Sequence, residues 1–333
     1  MALDNNRLSS TEISALWTTY MNDCASVCFL KHFMNVLQDA EIRPIVQDAL
    51  NIGESHIQTI RSLFQQEQFP LPKAFSDEDL HLSAPPLFTD LYALGHVYGM
   101  SRIGLISYGS MYSTLARKDV LDFYAKALQQ SAELYQNAVN LMQSKGVYDR
   151  PPKIPYPESV AFVEKASYMS GWLGEQRPLN ALELTEIFFN IERNYFGLLL
   201  LTGFLQVTQD EHIKKYLMKG KHLAEKQIKT FNTLLLNEDL LGTVPVAMEV
   251  TASTTSPFSD KLMLFTVNVL QSTAISTLGH SIAVCTRKDL SAQLAKFMAE
   301  VLAYGDDGLS LMIEREWLEQ PPQAPNRRKL MQV

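Results

Sequence analysis

The chain repeats itself once along its length. FMNVLQD at 33–39 aligns with FLQVTQD at 204–210, a shift of 171 positions. At this shift three further acids coincide, namely Glu12 with Glu183, Glu54 with Glu225, and Glu67 with Glu238. The shift then becomes 170 and aligns FTD at 88–90, RKD at 117–119 and PP at 151–152 with FSD at 258–260, RKD at 287–289 and PP at 321–322. One register change over about 140 positions indicates a duplicated domain.

Length and composition agree with two globular copies. The chain has 333 residues, 46% of them hydrophobic, and a net charge of −7. Each copy is long enough to bury its own core. The acidic balance argues against a nucleic-acid partner, which needs a basic face. The N-terminus lacks the apolar core of a signal peptide. Cys24, Cys28 and Cys285 form no disulfide or metal framework and are expected to be buried thiols. We therefore expect a cytoplasmic protein.

Apolar residues at helical spacing predict four long helices in each copy. The predicted helices are 11–38, 39–64, 87–116 and 117–145 in the first copy, and 180–208, 209–237, 258–286 and 287–304 in the second, with a further helical piece at 308–319. We divide the chain into a first bundle at 1–157, a junction at 158–177 with a short linking helix at 159–171, and a second bundle at 178–333.

The connection between the second and third helices is long in both copies. In the first copy it spans 65–86 and contains four prolines, which cannot continue a helix. A helix of about 28 residues is roughly 42 Å long, and about 20 extended residues can cover that distance. The sequence therefore predicts an all-α fold of two tandem ferritin-like four-helix bundles, related by pseudo-two-fold symmetry, each with one long crossover. A plain up-down bundle with a loose loop is the alternative.

The third helix of each copy is almost free of charge. Residues 91–116 hold only Arg102 as a charged residue, and residues 262–286 hold none. Several polar side chains make the second stretch unsuitable for lipid, so no membrane partner is expected. A helix without charge on any face is buried on every face. We therefore predict that the two third helices form the interface between the copies, where their glycines permit close approach.

A ligand pocket or a surface for self-association is the competing interpretation of these third helices. The first of them carries an aromatic and methionine-rich set of side chains that would suit an apolar ligand. These residues are Tyr92, Tyr98, Met100, Tyr108, Met111 and Tyr112.

A di-metal site of the ferritin-like type needs Glu-x-x-His pairs, and this spacing does not occur in the sequence. The nearest candidates for metal ligands are Glu54, His56, His222 and Glu225. The second copy has Gln227 at the position of His56, so the imidazole is not repeated. We expect no cofactor and assign no catalytic residue.

Six repeated residues are expected to have structural roles. They are Asp90, Arg117, Asp119, Asp260, Arg287 and Asp289. The four aspartates lie at predicted helix starts, where a carboxylate compensates the helix dipole, and Thr89 and Ser259 suit the capping positions. The two arginines need a carboxylate partner at a neighbouring helix end, for which Glu12 and Asp39 are candidates.

Several motifs resemble an uncharacterised tandem-repeat family of Bacillus-type endospore formers. They are FSDKLM at 258–263, RKD at 287–289, GDDG at 305–308, WLEQPP at 317–322, their weaker first-copy counterparts, and GWLGEQRPL at 171–179. The resemblance implies ferritin-like helical bundles, and some single-domain relatives are labelled spore-coat proteins. It implies no established activity and provides no catalytic residue.

The leading hypothesis is a non-enzymatic structural or interaction protein of a spore-forming bacterium, associated with the spore coat. Other proteins or a second copy of the chain would be its partners. One alternative is a carboxylate-metal oxidase, di-iron or di-manganese, with a degenerate site. The other is a binder of an apolar small ligand between helices.

Overall fold

Long helices make up most of the protein. The computed structural model describes residues 7–171, 176–242 and 248–331. The helices are α1 (Ser10–Val36), α2 (Ile42–Gln66), α3 (Asp90–Tyr112) and α4 (Lys118–Ser144) in the first copy, then α5 (Ala181–Val207), α6 (Glu211–Leu236), α7 (Asp260–Val284) and α8 (Lys288–Glu314) in the second, followed by a short α9 (Arg327–Leu330). Apart from two isolated bridges, these ranges contain no β-structure. The predicted all-α fold of two tandem bundles is confirmed.

The first helix of each copy begins with the same capping box. Ser9 and Glu12 exchange side-chain and backbone hydrogen bonds at the start of α1. Asn180 and Glu183, 171 positions later, do the same at the start of α5. Such a box satisfies two backbone N–H groups that a helix N-terminus otherwise leaves unpaired. The duplication has therefore preserved the chemistry of this helix start while exchanging serine for asparagine.

Contacts at the two ends of the first bundle show how its helices run. Asp90, which begins α3, accepts hydrogen bonds from the backbone of Gln38 and Asp39 just after α1 ends. The backbone N–H of Arg117, just before α4, donates 2.8 Å to Glu12 near the start of α1. Helices α2 and α3 are therefore parallel to each other, and the segment between them crosses the length of the bundle. This is the one-crossover arrangement rather than the up-down alternative.

The two crossover segments pair with each other. Leu80 forms an antiparallel bridge with Phe258, and Phe88 forms one with Val250. Positions 80 and 250, like 88 and 258, are equivalent in the repeat, so the two bridges are related by the pseudo-two-fold. Four backbone hydrogen bonds of 2.9–3.1 Å support them. These segments are therefore part of the contact between the copies, which the sequence analysis did not predict.

A continuous hydrophobic core joins the two copies. Phe29 of α1 is 1% exposed. Its ring centroid lies 4.1 Å from that of Phe258 and 6.3 Å from that of Phe204, both in the second copy. A smaller cluster around Phe231 and Phe297 belongs to the second bundle alone. The three cysteines are free and buried, as predicted.

The fourth helix of the second copy differs from its prediction. Instead of ending at 304 with a separate piece at 308–319, α8 runs without a break to Glu314. Its glycines accommodate neighbours rather than ending the helix. A Cβ on Gly308 would lie 2.3 Å from the Tyr216 hydroxyl oxygen and 2.6 Å from Asn268 Oδ1. Small residues inside a helix allow such close approach.

The junction also differs from its prediction. The linking helix expected at 159–171 is reduced to a single 3-10 turn at Ala166–Met169. The residues before it have no regular structure and are exposed. Four residues of the motif at 171–179, positions 172–175, lie outside the described residues.

Burial of the third helices is less complete than predicted. The N-terminal half of α3 is packed in the core, but Ile106 and Tyr112 are 56% and 41% exposed. Among the described residues, α7 is long and apolar enough to cross a bilayer if only length and composition are considered. In the structure, 44% of its most apolar 18-residue stretch is buried. Core helices of soluble proteins meet the same criteria, so one such helix is weak evidence for a membrane span. The two helices are therefore not covered on every face.

Candidate functional site

The repeated arginines form ion pairs that tie helix ends together in both bundles. Arg117 lies 2.5 Å from Glu67 and 2.8 Å from Asp119. Arg287 lies 2.9 Å from Glu238 and 2.8 Å from Asp289. The partners proposed from the sequence were therefore wrong for the guanidinium groups. Each guanidinium instead pairs with an acid that the repeat also aligns, Glu67 in the first copy and Glu238 in the second. The sequence analysis gave these two acids no role.

The aspartates at the starts of α3 and α7 bond to neighbouring segments. Asp90 binds backbone N–H groups beyond α1, and Asp260 accepts a 2.8 Å hydrogen bond from the Thr208 hydroxyl. The Ser259 hydroxyl caps α7 as predicted, at 3.1 Å from the backbone nitrogen of Leu262. Thr89 makes no side-chain cap and instead accepts from a backbone N–H of the other crossover. These acids therefore fasten α3 and α7 to the ends of α1 and α5.

Glu183 is the most deeply buried carboxylate at these ends, with 0% exposure. It accepts two hydrogen bonds from Arg177 and one from the backbone of Arg287. Burial alone would raise its pKa, but Arg177 and the backbone N–H groups of Asn180 and Arg287 outweigh it and lower the pKa from 4.5 to about 2. Its charged form is therefore stabilised by folding.

The variant Glu183→Gln is expected to lose about 1.5–3 kcal/mol of unfolding free energy at pH 7, because hydrogen bonds to a charge are lost. A carboxylate whose pKa is lowered by folding stabilises the protein above its unfolded pKa and less as the pH falls. The wild type should therefore lose more stability than the variant between about pH 4.5 and pH 2. Urea unfolding followed by circular dichroism at several pH values measures this.

Glu158→Gln, at an exposed position of the junction, is the control. Its unfolding free energy should change with pH as that of the wild type does. If the unfolding free energy of Glu183→Gln also changes with pH as in the wild type, the prediction is contradicted.

The four candidate metal ligands do not come together. Glu54 and His222 are exposed. Glu225 pairs with Lys221 on its own helix. His56 is buried and lies 3.1 Å from Asp23 and 3.0 Å from Gln130. No group of three or more potential metal ligands occurs among the described residues.

His56 instead belongs to a polar layer inside the first bundle. Burial alone would lower its pKa, but hydrogen bonding to Asp23 and the charge of that carboxylate raise it. In the second copy the equivalent positions hold Gln227 and Asn194, which form a 3.1 Å amide hydrogen bond. The two copies therefore keep a buried polar pair at one level but differ in its charge. In the second copy an arginine, Arg193, lies directly beside this pair, where the first copy has Asn22.

A cavity of about 180 Å³ lies next to Arg193, between the two copies. Helix α3 of the first bundle forms one wall, and α5, α6, α7 and α8 of the second bundle form the others. Apolar side chains such as Ile103, Phe196 and Leu270 make up most of its surface. Ile106 also lines it and is 56% exposed, so the cavity reaches the surface near this residue.

Glycines make room for the cavity. A Cβ added to Gly99 of α3 or Gly197 of α5 would meet no atom within 4 Å. Gly95, one turn before Gly99, lets the ring of Phe196 approach to 2.6 Å of that position. The repeat places Phe265 at the position equivalent to Gly95, and this ring packs on Phe75 at 4.7 Å. The copies thus differ in volume at corresponding places.

Four polar side chains lining the cavity have a buried atom with no hydrogen-bond partner in the described protein. These atoms are Nε2 of His96, Nε of Arg193, Oε1 of Gln271 and the hydroxyl oxygen of Tyr304. Burial lowers the pKa of His96 to about 4, so its imidazole is neutral at pH 7. Burial lowers the pKa of Arg193 to about 10, which leaves its guanidinium charged at pH 7. Buried polar groups in native proteins are rarely left unpaired.

The other charged residues of the cavity neutralise each other. Arg102 lies 2.5 Å from Glu192, and Tyr98 donates a 3.1 Å hydrogen bond to the same carboxylate. The Arg102 guanidinium also lies 3.3 Å from the ring centroid of Phe189. The lining therefore holds a satisfied ion pair together with one further cation, Arg193.

Comparison with known families decides where this chain belongs. A family profile described as "Protein of unknown function (DUF3231)" matches it twice, over residues 1–160 and 167–330. The chain belongs to the DUF3231 family. The two matches coincide with the two copies of the repeat, so this is a tandem DUF3231 protein.

One solved structure is similar to part of this DUF3231 chain. It is the crystal structure named as that of a putative spore coat protein from Bacillus halodurans C-125. The two are 18% identical, and the match covers 45% of this chain and 98% of that one with a TM-score of 0.43. A comparison with curated proteins finds no match.

The sequence pointed to only part of the cavity in this DUF3231 protein. Of the six aromatic and methionine residues proposed as a lining, Tyr92, Tyr98 and Met100 do line it, and the other three do not. Arg193 was missed. A signal was present, because Glu192 and Arg193 are the only charged residues between positions 187 and 207.

Proposed function

We propose that this protein is a non-enzymatic binding protein that holds a small, largely apolar ligand in the cavity between its two bundles. The observation that carries this proposal is the combination found there: a mostly apolar wall with four unpartnered polar groups. Apolar walls with a few convergent polar groups are typical of ligand sites. A cavity produced by imperfect packing alone would not gather unpaired polar atoms, because each one destabilises the fold.

The volume indicates the size of the ligand. A dry apolar cavity of about 150 Å³ is large enough to bind benzene. The present cavity, at about 180 Å³, therefore suits a single ring or a short alkyl chain. It is smaller than the pockets of about 300–1,000 Å³ that hold drug-sized ligands.

The threonine hydroxyl groups of the cavity favour binding over catalysis. Thr266, Thr273 and Thr277 each donate to a backbone carbonyl one turn earlier in α7, at 2.8, 3.2 and 2.7 Å. A hydroxyl engaged in this way has no base to activate it, and activated nucleophiles need such a base.

Filling the cavity tests the proposal. Gly99→Leu and Gly197→Leu place side chains into open space and are expected to weaken binding of hexan-1-ol at least about tenfold, since the apolar contacts are occupied by the protein itself. Gly109→Leu is the matched control, because it lies on the same helix, also meets no atom within 4 Å and does not line the cavity. Calorimetric titration measures all four proteins. The proposal is wrong if the wild type binds neither hexan-1-ol nor hexanoate, the carboxylate of the same length, or if Gly109→Leu weakens binding as much as Gly99→Leu.

A second candidate is the structural or interaction role at the spore coat, for which the proposed partner is another protein. The observation that favours it is the exposed junction, where Tyr156, Val160 and Phe162 are 96%, 87% and 88% exposed. Exposed apolar groups often mark protein contacts. Fluorescent fusions in a sporulating Bacillus test this role. Localisation on the spore surface that is lost in Tyr156→Ser/Phe162→Ser supports it, and diffuse cytoplasmic fluorescence of the wild type contradicts it.

The single long crossovers support classing each bundle as ferritin-like. We also propose that the protein is located in the cytoplasm before it associates with the spore. The alternative of a degenerate di-metal oxidase gains no support, because Glu54, His56, His222 and Glu225 do not converge on one point.

A further inference from the structure

The guanidinium of Arg193 lies in an unusual environment. Its Nη2 donates to two neutral acceptors, Asn190 Oδ1 at 3.2 Å and Gln227 Oε1 at 3.5 Å. Its Nε has no partner, and the ion pairs formed by the described residues do not include it. The side chain as a whole is half-buried, as its place in the cavity wall requires, and its Nε atom is fully buried.

A buried cation without a counter-ion destabilises a fold strongly. The nearest charges lining the same cavity do not compensate it, because Arg102 and Glu192 neutralise each other. His96 is neutral at pH 7. The cavity wall therefore carries one uncompensated positive charge within a mostly apolar surface. The equivalent position of the first copy holds Asn22, so the charge belongs to the half of the duplication that contains the cavity.

Building on the function proposed above, we propose that the ligand is a small apolar monocarboxylate whose carboxylate pairs with Arg193 while its hydrocarbon part fills the cavity. The planar guanidinium can form charge-assisted hydrogen bonds with a carboxylate, with Nε and one Nη as donors. The apolar residues Ile103, Phe196 and Leu270 surround the rest of the ligand. Access is from the side of Ile106, where the cavity reaches the surface.

The experiment compares three probes on the intact protein: hexanoate, hexan-1-ol and acetate, at constant ionic strength. In the wild type we expect hexanoate to bind at least about tenfold more tightly than hexan-1-ol. The carboxylate of hexanoate forms charge-assisted hydrogen bonds with Arg193, whereas the hydroxyl of hexan-1-ol is neutral. Acetate, which lacks the tail, should bind far more weakly than hexanoate. Arg193→Met should remove the preference for hexanoate and leave hexan-1-ol binding within about twofold of the wild type, because the methionine side chain retains apolar contacts.

Folding of the variant is checked in the same experiment. Arg193→Met is expected to be at least as stable as the ligand-free wild type, since replacing an uncompensated buried charge by an apolar side chain removes its desolvation cost. Arg193→Lys keeps the charge and should restore part of the preference for hexanoate. Lys118→Met, at an 88% exposed side chain outside the cavity, controls for the change in net charge and should bind like the wild type.

The outcomes separate this inference from the proposed function. Binding of hexan-1-ol without a preference for hexanoate would overturn the carboxylate inference and leave the binding function standing. A preference for hexanoate that persists in Arg193→Met would assign the carboxylate to another residue and overturn the role of Arg193. Acetate binding as tight as hexanoate would show a simple anion site. Failure of hexanoate and hexan-1-ol alike to bind the wild type would overturn both proposals.

Discussion

Replacing Arg287 by methionine is expected to lower the free energy of unfolding by about 3–5 kcal/mol, the usual effect of removing one partner of a buried ion pair. The Arg287 side chain is 2% exposed, and its partners Glu238 and Asp289 are 18% and 14% exposed. Without the guanidinium both carboxylates remain mostly buried, and water replaces only part of the lost hydrogen bonds. The guanidinium also donates to the backbone carbonyl of Arg177, so the helix ends would lose a further link.

The duplication provides the control for this prediction. Arg117 makes the equivalent ion pairs in the first copy, but its side chain is 17% exposed and that of Asp119 is 44% exposed. Solvent compensates exposed charges, so Arg117→Met should destabilise the protein by clearly less. Chemical denaturation followed by far-ultraviolet circular dichroism compares the two variants. Equal losses in both would show that burial does not decide the strength of these pairs.

The variant Phe29→Ala is also expected to lower the free energy of unfolding by about 3–5 kcal/mol, the range found for deleting a buried aromatic ring. Phe29 packs on Phe258 and Phe204 of the other copy as well as on residues of its own bundle. Its removal should therefore weaken both copies. Hydrogen–deuterium exchange is expected to become faster in α1 and also around Phe258 and the first turns of α7.

Phe297→Ala is the matched control for this second prediction. Phe297 is 0% exposed and belongs to the cluster confined to the second bundle. We expect a similar loss of stability, but faster exchange only within α5 to α8. If the exchange changes in Phe29→Ala stay within α1 to α4, the two copies do not share a cooperative core.

Much of the fold could be predicted from sequence because its signals are local. Apolar residues repeat with the period of a helix, and the prolines at 70, 72, 85 and 86 interrupt that period between α2 and α3. The predicted helices therefore match the observed ones to within a few residues at most ends. The glycines of α8 were misleading, since in sequence they resemble a helix end. The close approach of Gln271 to Gly305 and of Tyr216 and Asn268 to Gly308 explains their presence inside the helix.

The candidate site was less accessible to sequence reasoning. The sequence offered acidic residues and histidines as candidate metal ligands, but two of them, Glu54 and His222, are exposed at the surface. Arg193 was not considered, although it and Glu192 are the only charged residues between positions 187 and 207. Its environment depends on α3, which is about 90 residues away in the chain. Whether an arginine finds a carboxylate there is decided by side chains that meet only after the bundles have packed.

The amino-acid sequence alone determined that this protein is two copies of one helical bundle, each with a long connection between its second and third helices, because helical period, helix caps and prolines act over a few residues. Tertiary structure decided how the copies meet: the crossovers exchange backbone hydrogen bonds, and Phe29 enters a shared core. It also decided where space remains, since a glycine at position 95 and a phenylalanine at position 265 occupy equivalent places with different volumes. Such space arises from the fit between distant surfaces and has no local signal.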